Sequence, residues 1–273
     1  MSGKKFQCKS LGICKLTGTE GQYVKSHIIP QALTRPSKSG VPLVQSSKGS
    51  GGTKRWSSWY DKSMVTREGE DYLERIDTRA IRILKKHKMV WRSWNGVPPI
   101  FQSLSAMLPN HSTREIQLGV EDGYSLKLFL VSILWRASVS SLPDTEDIKL
   151  SEHQEKLIAA AIKGERISDS RFATALVQIS TFGEYQNALP FYETKKTPPF
   201  EDGPVREIPM YRLFVDGLIA HIHLEDEEDM DDNALYLGCA ERIVVPGIRY
   251  EASFQYENGL NLMYETYLGS KKS

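Results

Sequence analysis

The chain has 273 residues, 40% hydrophobic, 25% charged and 10% aromatic, which excludes collagen-like, mucin-like and wholly disordered proteins and suffices for one large domain or two modest ones. Three cysteines, at 8, 14 and 239, are too few for a disulfide framework, and the longest apolar run, residues 128–135, is far short of a membrane span. The formal net charge of +1 hides a division, because residues 1–100 carry 19 Lys/Arg against 7 Asp/Glu and residues 101–273 carry 16 against 27.

No apolar stretch follows the N-terminal lysines, so the expectation is a cytoplasmic protein with no membrane association. A basic N-terminal part suits a phosphate backbone, and an acidic remainder suits a basic partner, unless the two halves pack together and neutralise each other.

Residues 6–34 form a turn-rich unit, with Gly12, Gly18 and Gly21, running into a strand-like segment at 22–29 that Pro30 stops. Residues 36–56, rich in Ser, Gly and Lys and without periodicity, predict a mobile basic loop. From Thr66 to about Met89, Tyr72, Ile76, Ala80, Ile83, Leu84 and His87 recur at helical spacing, with Arg75, Arg79, Arg82 and Lys86 on the opposite face. A second, core helix is expected over 123–138. A third opens at Ser151, where Ser151 and Gln154 have the spacing of a capping box, and stops at Gly164. From about residue 172 the pattern is β, with hairpin turns predicted at Asp216-Gly217 and Asn258-Gly259. Residues 225–232, seven acids in eight, read as a solvated loop and as a candidate contact for a basic protein partner. The fold class is α+β: a basic module over 1–100, then an acidic part over 101–273, helical at first and antiparallel β-rich at its end.

The chemistry concentrates early in the chain. Cys14 and Gly18, the run Ser26-His27-Ile28-Ile29-Pro30, the pair Tyr60-Asp61, then Glu70 and Asp77 seven residues apart, follow one another in an order that resembles a bacterial and phage group within the HNH endonuclease superfamily. Leu134-Trp135-Arg136-Ala137 resembles a stretch that often follows in such proteins. The resemblance covers the first 90 residues well and the next 50 loosely. It implies that the N-terminal module is a ββα-metal hairpin and helix in which His27 is the general base that activates water. It also implies a Mg²⁺ or Mn²⁺ ion, with Asp61, Glu70 and Asp77 as candidate ligands, that stabilises charge on a scissile phosphate. The function implied is phosphodiester hydrolysis, in phage defence or a mobile element.

This chain departs from the group's pattern at three of four expected zinc ligands. Thr17, Thr66 and Gly69 stand where thiolates are typical, which leaves Cys14 and the nearby Cys8 without partners, so no structural zinc is expected. Ser26 stands where a metal ligand often precedes the histidine, and no Asn lies between His27 and Asn95. The alternative function is therefore a catalytically inactive nucleic-acid-binding or adaptor protein that keeps the fold. In either case the residues expected on nucleic acid, DNA rather than RNA, are Lys25, Lys54, Arg55, Arg75, Arg79, Arg82 and Lys86, with Lys38 and Lys48 adding charge in the loop. His221 and His223, two apart on a strand, would share a face and could join Glu225 or Asp226 on a metal. Trp56, Trp59, Trp91, Trp94 and Trp135 are either stacking platforms for bases or core anchors.

Overall fold

The computed structural model describes residues 10–35, 43–46, 53–55, 57–197, 205–228 and 230–261. The chain opens with a small antiparallel hairpin, β1 (Leu11–Ile13) and β2 (Glu20–Gln22), then β3 (Ser26–His27) and a single helical turn, α1 (Gln31–Thr34). Strands β4 (Leu43–Ser46) and β5 (Thr53–Arg55) follow, then β6 (Tyr60–Asp61), which pairs antiparallel with β3, and the long helix α2 (Arg67–Lys86). Next come β7 (Gln102–Ser103), β8 (His111–Gln117), α3 (Val120–Val139) and α4 (Glu152–Ile162). The remainder is β9 (Thr174–Ile179), β10 (Asn187–Ala188), β11 (Phe191–Thr197), β12 (Arg206–Val215), β13 (Leu218–His223) and β14 (Arg242–Ile248).

The three long helices form where the apolar spacing predicts them. Leu73, Ala80, Ile83 and Leu84 bury one face of α2, which packs on α3, and the Ser151–Gln154 capping box opens α4. Helix α3 is buried on almost every side and carries Lys127 and Arg136 into the interior. One apolar core runs from Cys14 and Ile28 through α2 and α3 to Val245. Trp59, Trp91, Trp94 and Trp135 are buried, so they anchor the core and are not base-stacking platforms; Trp56 lies outside the described residues. No described helix is long and apolar enough to cross a membrane.

Strands β11-β12-β13-β9-β14-β8-β7 form one seven-stranded sheet in that order. It is mixed, not antiparallel throughout as expected. β14 matches β8 along its full length, Arg242↔Gln117 to Ile248↔His111, and this long antiparallel ladder sets its direction. Its parallel contact with β9 spans only Gly247↔Gln178 and Ile248↔Ile179. The middle of the chain thus contributes β7 and β8 to the sheet as well as helices.

Two further expectations are corrected. Within the segment expected to be a mobile loop, β4 and β5 pair with each other, and β4 pairs in parallel with β10, a partner about 140 residues away that no local pattern reveals. Lys38 and Lys48 lie outside the described residues, as does Cys8. Asn258-Gly259 is not a hairpin turn, because residues 254–261 are helical. Ser253 caps that helix by accepting from the Tyr256 N–H at 3.3 Å, and Phe254 stacks on Phe191 with ring centroids 5.9 Å apart. Asp216-Gly217 does form the two-residue turn between β12 and β13, with φ of 49° and 85°, the left-handed pair that such a hairpin needs.

Candidate active site

Strands β3 and β6 are two residues each, placing Ser26 opposite Asp61 and His27 opposite Tyr60, with α2 following directly. The His27 ring meets Tyr60 edge-on at 5.9 Å, and Lys25 lies over the same tyrosine ring at 4.0 Å. His27 Nε2 is buried without a hydrogen-bond partner among the described residues. Burial, with the charges of Lys25 and Arg136, holds its pKa down at about 4, so the imidazole is neutral at physiological pH and a weaker base than a free histidine.

The three candidate metal ligands have different fates. Asp61 accepts five hydrogen bonds: Oδ1 from Ser63 N (2.7 Å) and Oγ (2.8 Å), and Oδ2 from Ser141 N (2.7 Å), Ser141 Oγ (2.9 Å) and Ser140 Oγ (3.0 Å). Burial alone would raise its pKa, but these donors outweigh it and hold the carboxyl at about 2. Asp77 is held by Arg136 through Nη1 at 3.1 Å and through Nη2. The same guanidinium, 1% exposed, donates to the carbonyls of His27 (3.3 Å) and Ile28 (3.4 Å) and to Ser132 Oγ (3.2 Å). Burial of Asp77 raises its pKa despite that partner. Glu70 differs from both, since its Oε2 is buried and unpartnered, and burial outweighs the pull of Ser26 and Arg136 to raise its pKa.

A hard divalent cation needs several oxygens free to turn toward it. Of these three carboxylates only Glu70 has one, and no group of three or more His, Cys, Asp or Glu among the described residues is placed to hold a metal. The side chains present do not fit the cation that the resemblance implies.

The positions expected to have lost zinc ligands converge nonetheless. The turn after β1 is closed by Gly18 N to Cys14 O (2.8 Å) with Gly18 at φ +73°, and it is tied to the start of α2 by Lys15 N to Met64 O (3.0 Å) and Val24 N to Val65 O (3.1 Å). Burial pushes the Cys14 thiol up, but hydrogen bonding from Thr17 and from the Thr66 backbone outweighs it and lowers its pKa. A Cβ on Gly69 would fall 2.6 Å from Cys14 Sγ. Thr17, Thr66 and Gly69 therefore surround one sulfur.

The basic residues divide in the same way. Arg79 pairs with Asp122 at 3.3 Å, and Arg75 lies over the Tyr72 ring at 4.5 Å. Arg82 and Lys86 are exposed, with no acid on them among the described residues. Lys85, which helical spacing did not single out, joins them in the last turn of α2. Lys25 is exposed beside His27, and Lys54 and Arg55 lie on β5.

His221 and His223 make no metal site with Glu225 or Asp226. His223 Nδ1 lies 2.8 Å from Glu227 Oε1, and Arg206 takes Glu227 Oε2 at 2.9 Å, while Asp226 pairs with Arg171 at 3.5 Å. The acidic segment is accordingly not simply solvated, since Glu227 and Met230 are buried. A run of acids gives no local sign of which one turns inward. Comparison of the chain with protein-family models, with curated proteins and with solved structures finds no match.

Proposed function

We propose that this chain is a nucleic-acid-binding protein built on an HNH-like ββα module whose carboxylates have been committed to holding the module together. The observation that carries this reading is a contrast. Asp61 and Asp77, which a catalytic cation would need, are saturated by protein donors, whereas Arg82, Lys85 and Lys86 on α2 face solvent without acidic partners among the described residues. The convergence of Cys14, Thr17, Thr66 and Gly69 supports descent from the zinc-knuckle group. The partner proposed is DNA more than RNA, with Lys25, Arg75 and the end of α2 on the phosphate backbone.

The test compares two triple variants. Arg75→Glu/Arg82→Glu/Lys86→Glu should weaken binding to duplex DNA and flatten the slope of log K against log salt by up to about 2–3, at about 0.9 per lost phosphate contact. Lys149→Glu/Lys156→Glu/Lys163→Glu should change neither. Equal effects would show that only total charge matters, and no binding by the wild type at low salt would end the proposal in favour of a protein partner for the acidic segment.

A second reading, phosphodiester hydrolysis with His27 as general base, is favoured by one observation: a neutral imidazole with its Nε2 unpartnered. Plasmid cleavage in Mg²⁺ or Mn²⁺ that falls on the order of 10²-fold in His27→Ala would establish it, and cleavage indifferent to that change would remove it.

A further inference from the structure

The two edges of the seven-stranded sheet meet water differently. β11, at one edge, carries exposed Lys195 and Lys196, charges of the kind that keep an open strand from pairing with another chain. β7, at the other, has no such guard. It pairs with β8 through Gln102↔Thr113 and Ser103↔Ser112, and no described strand pairs with its outer side. Residues 95–110 include no Asp, Glu, Lys or Arg, and their prolines, at 98, 99 and 109, all fall outside β7. Ile100 is 89% exposed and Met107 90%, with Val97, Leu104 and Leu108 exposed beside them. Single exposed apolar residues are ordinary on a protein surface. Five large ones within residues 97–108, beside an open strand edge, make a patch of the kind that association buries.

We propose that this face joins two copies of the chain across a twofold axis at β7, so that the sheet of one copy continues into the other. A twofold axis perpendicular to a sheet sets an edge strand antiparallel to its own copy, and the interface is then the same patch used twice. The sequence around β7 suits that operation. Val97 and Ile100 precede the strand and Leu104, Met107 and Leu108 follow it, so antiparallel pairing lays the leading apolar flank of each copy along the trailing flank of its partner. The missing charge points to the same occupant. A charge near a twofold axis meets its own like, but these sixteen residues carry none, and the formal net charge of the whole chain is only +1. In size, sixteen residues approach the about 20–30 a side of a standard interface. Because Lys195 and Lys196 guard β11, pairing stops at two copies and does not run on as a ribbon. This association is independent of nucleic-acid binding.

The test is sedimentation equilibrium of the full chain over a range of concentrations, without nucleic acid. The wild type is expected at the mass of two chains. Ile100→Lys/Met107→Lys should fall to the mass of one chain while keeping the circular dichroism of the wild type, since both side chains are exposed in the single copy. Leu11→Lys/Ile13→Lys, which charges two exposed apolar side chains on β1 instead, should leave the dimer intact. A wild type that stays monomeric overturns the proposal and leaves the edge to a different protein. A dimer that survives Ile100→Lys/Met107→Lys overturns it as well, as do equal losses from the two double variants, which would mark general apolar adhesion, and a wild-type mass that climbs past two chains with concentration. If Ile100→Lys/Met107→Lys does not fold, amide hydrogen exchange of the wild type decides the matter. Amides on the outer side of β7 should exchange at least about 10-fold more slowly in concentrated than in dilute protein, and exchange there that ignores concentration overturns the proposal.

Discussion

The seven-stranded sheet and the β3–β6–α2 region solve the same problem with different means. In the sheet, strands such as β12 and β14 are seven to ten residues long, and their backbone ladders carry the pairing. Strands β3 and β6 contribute two residues each, too few for a ladder to hold them, and the work passes to buried charged side chains. Asp61 reaches from β6 to Ser140 and Ser141 just beyond α3, and Arg136 reaches from α3 to Asp77 on α2 and to the carbonyls of His27 and Ile28 at the end of β3. The small region's acids are thus structural cross-links, and this use competes with metal binding for the same oxygens.

The largest expected effect probes that difference directly. Arg136→Met should cost about 3–5 kcal/mol in urea denaturation, because it strips the Asp77 carboxyl of its partner and leaves it to stay charged or take up a proton in the interior. Adding Asp77→Leu should recover much of that loss, and a cost below about 1 kcal/mol for Arg136→Met would show that the guanidinium is not the clamp. Next comes Asp61→Ala, expected to cost about 2–3 kcal/mol through the stranded donors of Ser63, Ser140 and Ser141. The folded pKa of Asp61 is depressed from 3.8 to about 2, so its contribution is present above pH 4 and lost as pH falls toward 2. In the Ala variant that acid limb of the stability profile should shrink.

Asp216, at the tip of the β12–β13 hairpin, should behave in the opposite sense. Burial raises its pKa from 3.8 to about 6, ahead of the opposing pull of Arg92. Between those values the folded protein binds a proton that the unfolded chain has released, so stability declines as pH rises from 4 to 6, by about 1–2 kcal/mol. Asp216→Asn should flatten that interval, and an unchanged slope would place the titration elsewhere. The smallest effect is expected at His27, where His27→Ala should alter stability by under about 1 kcal/mol, since its Nε2 makes no bond to lose. A larger loss would mark His27 as a packing residue and weaken both readings of the site.

Local features were legible in the sequence wherever their cause was local. The apolar spacing of α2 and α3, the capping box of α4 and the Asp216-Gly217 turn each depend on residues within one or two turns of one another, and they appear as expected. What sequence missed depends on distant partners: β10 for β4, β8 for the direction of β14, Phe191 for the helix at 254–261, and Glu227 rather than Glu225 or Asp226 for His223. The candidate site divides along the same line. The resemblance singled out positions 14, 17, 66 and 69, but that Asp61 and Asp77 are already occupied follows from Ser140, Ser141 and Arg136, more than 50 residues away.

The reach of Arg136 and of the Ser140–Ser141 turn also dictates a timetable for synthesis. A ribosome delivers residues 26–86 well before residue 136 emerges, so β3, β6 and α2 leave the exit tunnel without the guanidinium and the donors that fix them. During that interval Asp61 has only its Ser63 donors and Asp77 lacks its guanidinium, and the early part of the nascent chain is most exposed to proteases and chaperones. A fragment ending near residue 100 is held in that condition permanently, whereas one extended past Ser141 gains both cross-links in a single step.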